Sequence, residues 1–188
     1  SGIIMGLDTD TPRTADALLQ FVEESRIPLL TINLLQALPK TPLWDRLERE
    51  GRLVHDDSRD SNVKFLMPYD EVIESWRRCM DEAYEPEKLF ARYKHQCDQT
   101  YSNRIKVPVS DEMKSWPNIR RGLIMMGKIV WKIGVLGDYK WPFWRFAWSQ
   151  LRRGEIENFI AVALVAHHLI MFARAASRGH QNASNYSI

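Results

Sequence analysis

Gly2-Ile3-Ile4-Met5-Gly6-Leu7-Asp8-Thr9-Asp10-Thr11-Pro12 places a short unbroken apolar run at the head of the chain and stops it with two acids and a Thr-Pro pair. Residues 2–7 have the pattern of a strand buried on both faces of a parallel sheet. Thr11 predicts an N-cap with Pro12 at the first helical position, and Ala15, Leu18, Leu19 and Val22 then repeat at helical spacing. Pro28 restarts extended chain. Residues 29–35 (LLTINLL) read as a second buried strand, and Thr41-Pro42 caps a second helix that ends at Gly51. Strand, helix, strand, helix in close succession predicts two β/α units with parallel strands.

Outward from this opening the character changes. Residues 53–67 are polar, with Asp56, Asp57, Ser58, Asp60, Ser61 and Asn62 close together, and read as a linker or long loop. Every later signal is helical. Val72, Trp76, Cys79, Met80 and Ala83 form one apolar stripe; Leu89, Phe90, Tyr93 and Cys97 form the next after Pro86. Both cysteines fall on these core faces, where a thiol behaves as a small hydrophobe. In a helix over 118–136, steps of ~100° place Arg121, Lys128 and Lys132 within about 20° of one another. Ile119, Leu123, Met126, Val130 and Ile133 lie on the opposite side, and Met125 stands as an apolar exception beside the basic stripe. Trp141-Pro142-Phe143-Trp144-Arg145-Phe146-Ala147-Trp148 is an aromatic block followed by Arg152 and Arg153. A last helix is expected over 155–177 and a disordered polar tail over 179–188, with a sequon at Asn182-Ala183-Ser184 that is not expected to be used. The expected fold class is α/β followed by mostly α, divided into 1–58, 59–178 and 179–188.

Composition narrows the classes. The 188 residues are 45% hydrophobic and 27% charged with nine Gly and nine Pro, which excludes collagen-like, low-complexity and bulk-disordered chains. The net charge of +2 conceals a split: residues 1–112 carry 15 Lys and Arg against 21 Asp and Glu, whereas 113–188 carry 11 against 3 together with five of the seven tryptophans. The basic part is therefore expected to face phosphates, anionic lipid or the acidic part of the chain. Ser1-Gly2 is neither an initiator Met nor a charged-then-apolar leader, so the chain reads as a portion beginning inside a structure, without a secretory signal. The apolar run 159–173 is interrupted by His167 and His168 and falls short of the ~18 to 20 residues of a membrane span.

Chemistry-bearing patterns are few. Two cysteines without CxxC leave no legible metal site, and no P-loop, dinucleotide fingerprint or GxSxG elbow occurs. Adjacent His167 and His168 point ~100° apart and do not have the i, i+4 spacing of a zinc helix. Asp8 and Asp10 end the first strand, at the carboxyl edge where parallel sheets place their sites, but acids there also start turns. Gly6 marks either close ligand approach or close packing. The basic, Trp-rich stretch supports two readings equally. One is an interfacial surface for membrane or partner through Arg121, Lys128, Trp131 and Lys132; the other is a helical core whose basic stripe is solvated or meets the acidic residues 70–87. Nucleic acid ranks last, because no nucleic-acid fold signature accompanies the arginines and aromatics.

GIIMGLDTDTP, the spacing to LLTINLLQALPKTPLWDRLEREGRL and the WPFWRFAW…ALVAHHLIMFAR segments together resemble the C-terminal portion of cobalamin-binding-type radical S-adenosylmethionine (SAM) proteins, the hopanoid-methylase-like group, over about residues 2 to 178. The resemblance implies that the two β/α units are the last two of a partial parallel barrel and that a helical domain follows. It implies that Gly6 lets the backbone approach SAM, with Asp8 and Gln36 facing the site from the strand ends. It implies SAM, a [4Fe-4S] cluster and cobalamin in the parent protein and none bound by this chain alone, since no CxxxCxxC occurs in it. Its partners would be the upstream barrel and cobalamin-binding domains of the same polypeptide. Lys40 departs from the group's Pro-Gly-Thr-Pro pattern.

The expected function is accordingly that of a radical SAM enzyme fragment. It would flank the SAM site and cap or position an apolar substrate, in the cytoplasm or peripherally at a membrane. The alternative is a non-enzymatic helical module that binds a membrane surface or partner protein.

Overall fold

The computed structural model describes residues 1–56, 58–100 and 116–179, with the side chain of residue 119 left out. The expected tail, its sequon and Asp57 lie outside the described residues. The chain divides into two compact units: Ser1–Tyr84 with the stretch from Met171 onward, and Glu85–Ile170.

The first unit is built on two parallel strands. β1 (Gly2–Met5) pairs with β2 (Thr31–Leu34) in the register Gly2 to Thr31 and Met5 to Leu34, so both carboxyl ends emerge at one edge. Helices α1 (Thr14–Ser25) and α2 (Pro42–Arg49) follow the strands as expected for β/α units. Three details differ from the sequence reading. β1 is not buried on both faces: Ile3 and Met5 face the core, while Gly2 and half-exposed Ile4 lie on the opposite, open face. Both strands are shorter than their apolar runs. And Thr11 does not cap α1: its Oγ accepts from Arg13 N (3.3 Å) while its own N–H donates to Thr14 Oγ (2.9 Å), which closes a turn first and delays the helix to Thr14. Thr41 does cap α2, accepting from Trp44 N at 3.3 Å with Pro42 behind it, and Gly51 leaves the helix at φ 65°.

Residues 53–56 and 58–67 form the long loop that was one of the two expected readings, and it folds onto the first unit. Leu53 bridges Val63 in antiparallel fashion, and Ser61, Val63 and Phe65 are buried at alternate positions. That period of two was hidden beneath the cluster of acids and serines. Helix α3 (Tyr69–Ala83) then lies on the sheet, where Trp76 Nε1 donates to Ile32 O (2.9 Å) and Tyr84 Oη to Leu30 O (2.5 Å). Cys79 Sγ faces Ala15 O of α1 at 3.8 Å. These contacts hold α3 within the first compact unit.

The second unit is helical. α4 (Pro86–His95) continues into a π-helical turn (Gln96–Thr100), α5 (Trp116–Ile129) into another (Val130–Val135), and α6 (Lys140–Leu151) follows. Its core is aromatic: Phe90 packs against Tyr139, Phe143 and Phe146 with ring centroids 5.8 to 6.4 Å apart, and Phe143 against Phe159 at 5.7 Å. Helix α7 (Ile156–Ser177) runs 22 residues, longer than the apolar run inside it, and contributes to both units. It is long and apolar enough to cross a membrane by length and composition. Its buried residues Phe159, Val162, Ala163, Ala166, Leu169, Ile170, Ala173 and Ala176 recur on one stripe, the pattern of a core helix.

Candidate functional site

The carboxyl edge of the sheet gathers the three residues that the resemblance singled out. Gly6 follows β1 at φ 93°, and a Cβ there would stand 2.5 Å from Phe65 Cε1. Glycine is required both by the left-handed backbone and by the phenyl ring laid on it. The turn after it is closed by Asp10, whose Oδ2 accepts from Gly6 N (2.7 Å) and Leu7 N (3.0 Å). Asp10 is thus the turn-forming acid.

Asp8 is an ion-pair hub. Its carboxylate accepts from Arg46 Nη2 at 2.8 Å and Arg52 Nη2 at 2.6 Å, joining the end of β1 to α2 and to the strand-like return after it. The hydrogen bond from Arg52 holds the Asp8 carboxyl below the usual range, against partial burial, which pushes the other way. Arg52 is itself fixed by Glu50 (3.0 Å) and by Lys64 O (2.9 Å).

Gln36 spends both ends of its amide on the return segment. Nε2 donates to Asp60 O (2.7 Å) and Oε1 accepts from Asn62 N (3.3 Å). Asn62 in turn brackets Ala37, accepting from its N–H (2.9 Å) and donating to its carbonyl (2.8 Å), while Ser61 Oγ donates to Leu35 O (2.6 Å). Ser61, Asn62 and Phe65 are the edge residues that sequence reasoning missed. Ser61 and Phe65 share the alternating buried positions 61, 63 and 65, a period of two concealed among polar neighbours, whereas Asn62 lies between them and carries no such signal.

Gly6, Asp8 and Gln36 therefore come to one edge, but each is committed within the chain. These intrachain partners are what build the edge. Among the described residues no group of three His, Cys, Asp or Glu side chains is placed to hold a metal ion. Cys79 is buried, and burial pushes its thiol up to about 11; burial raises half-buried Cys97 as well, so neither is poised as a nucleophile.

The second unit carries the other predicted residues. Arg121, Lys128 and Lys132 are exposed, and Trp131 is 63% exposed. The apolar face expected opposite them is covered at its end only: Ile133 is buried, Met126 and Val130 are half-buried and Leu123 is exposed, while Ile119 lies outside the described side chains. Leu123 lies within regular α5, ahead of the π-helical turn at Val130–Val135 in which Ile133 is buried. His167 Nδ1 is hydrogen-bonded to Tyr139 Oη, and burial, then the charge of Lys132, lowers its pKa; His168 is exposed.

In α6 the aromatic block splits by residue type. Phe143, Phe146, Ala147 and Gln150 point inward and are almost fully buried, whereas Trp141, Trp144, Arg145, Trp148 and Arg152 recur along the outer side. Trp144 is held by donating Nε1–H to Gly134 O (2.9 Å). Trp141 and Trp148 are 73% and 62% exposed. The split is legible from 100° steps through residues 141–152 once Trp and Phe are treated separately.

Residues 41–182 match the model of a family described as a domain of unknown function, DUF4070. The chain belongs to the DUF4070 family. This DUF4070 chain is 62% identical, over all 188 residues, to a hopanoid C-2 methylase of Rhodopseudomonas palustris (strain TIE-1), of whose length it spans 36%. It is 28% identical to an uncharacterized methyltransferase of Synechocystis sp. over 92% of the chain and 32% of that protein. It thus spans about a third of the length of these curated relatives and fits a C-terminal portion of the radical SAM methylase group. No solved structure matches the DUF4070 chain.

Proposed function

We propose that this chain is the C-terminal portion of a cobalamin-dependent radical SAM methyltransferase that methylates an apolar polycyclic lipid of the hopanoid type. The observation that carries the reading is the 62% identity sustained over the whole chain to a hopanoid C-2 methylase. The parallel β/α/β/α opening supports the further reading that β1 and β2 are the last two strands of a partial barrel, whose ligands gather at the carboxyl ends of its strands.

In such a protein SAM, a [4Fe-4S] cluster and cobalamin supply the radical and methyl chemistry. The residues of this chain do other work. Asp8, Arg46 and Arg52 lock the strand edge to α2, while Gln36, Ser61 and Asn62 strap the return segment across the end of β2. The exposed apolar side chains of the second unit are suited to an apolar substrate, held near the surface from which it is drawn.

A chimera tests this. The matching portion of the Rhodopseudomonas palustris methylase is replaced by this chain in a strain lacking its own copy, and extracted hopanoids are examined by mass spectrometry. C-2-methylated hopanoid is expected. A stably expressed chimera that yields none would sink the proposal.

A further inference from the structure

The outer side of α6 and the segment leading into it present a tryptophan-rich surface whose occupant the proposed reaction does not by itself specify. Trp131, Leu136, Trp141 and Trp148 are each more than three-fifths exposed. Large apolar side chains are rarely left this open on a protein surface, and four of them between residues 131 and 148 point to an interaction site. The aromatic core beneath is already filled by Phe90, Phe143, Phe146 and Phe159, so these tryptophans are not surplus core.

Charge identifies the occupant. Residues 116–153 hold eight Lys and Arg and a single acid, Asp138. On α6 cations accompany the tryptophan stripe: Lys140 precedes Trp141, and the Arg152 guanidinium lies 5.7 Å from the Trp148 ring centre, whereas Arg145 is spent on an ion pair with Glu87. Lys132 adjoins Trp131, and Arg121 and Lys128 precede it on α5, all three exposed. Protein interfaces favour Trp and Arg but are depleted in Lys. Indole rings among lysines and arginines match the headgroup layer, where tryptophan sits with its apolar body in the lipid and its N–H toward water and where cations meet anionic phosphates.

We propose that the second unit docks on an anionic phospholipid bilayer through the Trp141–Trp148 side of α6 and the adjoining Trp131–Leu136 segment, with Arg121, Lys128, Lys132, Lys140 and Arg152 meeting lipid phosphates. The docking does not depend on which reaction the parent protein performs, so its success or failure is read apart from methylation. Attachment combines shallow apolar insertion with electrostatics that act over ~8 to 10 Å at physiological salt.

The test uses the full-length polypeptide that carries this chain. It is mixed with vesicles of phosphatidylcholine containing phosphatidylglycerol, or of phosphatidylcholine alone, and sedimented over a range of salt. The expected result is binding to the anionic vesicles at low salt, declining as salt rises, and at least tenfold weaker for W141S/W148S with an unchanged far-ultraviolet circular dichroism spectrum. Replacing Arg121, Lys128 and Lys132 by Gln should flatten the salt dependence. If the serine variant does not fold, brominated lipid decides: it should quench tryptophan emission of the parent protein and do so much less in W141F/W148F. Failure to bind anionic vesicles at low salt overturns the proposal. So does equal binding to neutral vesicles, or quenching unchanged in W141F/W148F.

Discussion

Lys40 stands at φ 65° in the turn before Thr41, a backbone conformation that costs a residue with a Cβ about 1 to 2 kcal/mol and glycine almost nothing. The glycine expected here from the family pattern is thus explained by geometry, and lysine bears the strain. Lys40→Gly should stabilise the chain by roughly 0.5 to 1 kcal/mol, the relief being partly offset by the greater freedom of glycine in the unfolded state. The urea midpoint measures it, and a lowered midpoint would contradict this account. At Asp8 the sign of the pH effect follows from its pairing. Its native pKa lies below the unfolded value of about 3.9, so its ion pairs stabilise the fold fully above that value and are lost as pH falls through the lowered one. The contribution is about 1 kcal/mol or less, as befits a partly exposed pair. Asp8→Asn should lower the urea midpoint at pH 7 and flatten its decline below about pH 4, where the two proteins should converge.

At the scale of the element, α6 shows how one aromatic-rich helix serves two environments. Phe146 is buried against Phe90, and truncating it to Ala should cost about 3 to 5 kcal/mol through lost burial and the cavity left behind. Trp148, larger but outward, should tolerate Ser within about 0.5 kcal/mol. Thermal unfolding of the two variants separates these outcomes, and comparable losses would mean that the outer stripe is packed after all. The strands and α2 were legible because their signals are local: continuous apolar runs, a Thr-Pro cap and a glycine stop. The start of α1 was not, because Thr11 and Thr14 satisfy each other in a turn before the helix can begin. The return at 53–67 was hidden for a related reason. Ser61 and Asn62 are polar residues spent on the backbone of Leu35 and Ala37, just past β2, and a polar residue with a buried partner looks in sequence like one in water.

At the scale of the whole chain, the two cysteines report on different units. Cys79 is enclosed beneath α1 in the first unit, with its thiol raised to about 11, whereas Cys97 is half-buried in the second. Pulse alkylation across a urea titration should label Cys97 first, and Cys79 only as the sheet-bearing unit opens. Early labelling of Cys79 would show that α3 detaches from the sheet before that unit unfolds.

The amino-acid sequence by itself determined the parallel β/α opening, the helical remainder, the charge division and the family resemblance, because each is written in short-range periodicity, capping residues or composition. The tertiary structure alone decided three matters. It engaged Asp8 and Gln36 within the chain, it drew residues 53–65 into the first unit, and it sent phenylalanines inward and tryptophans outward on α6. Each depends on partners distant in sequence, such as Arg52 for Asp8, Asn62 for Gln36 and Phe90 for Phe146. Pairings of that kind arise when the chain closes on itself and burial makes each unsatisfied polar group costly.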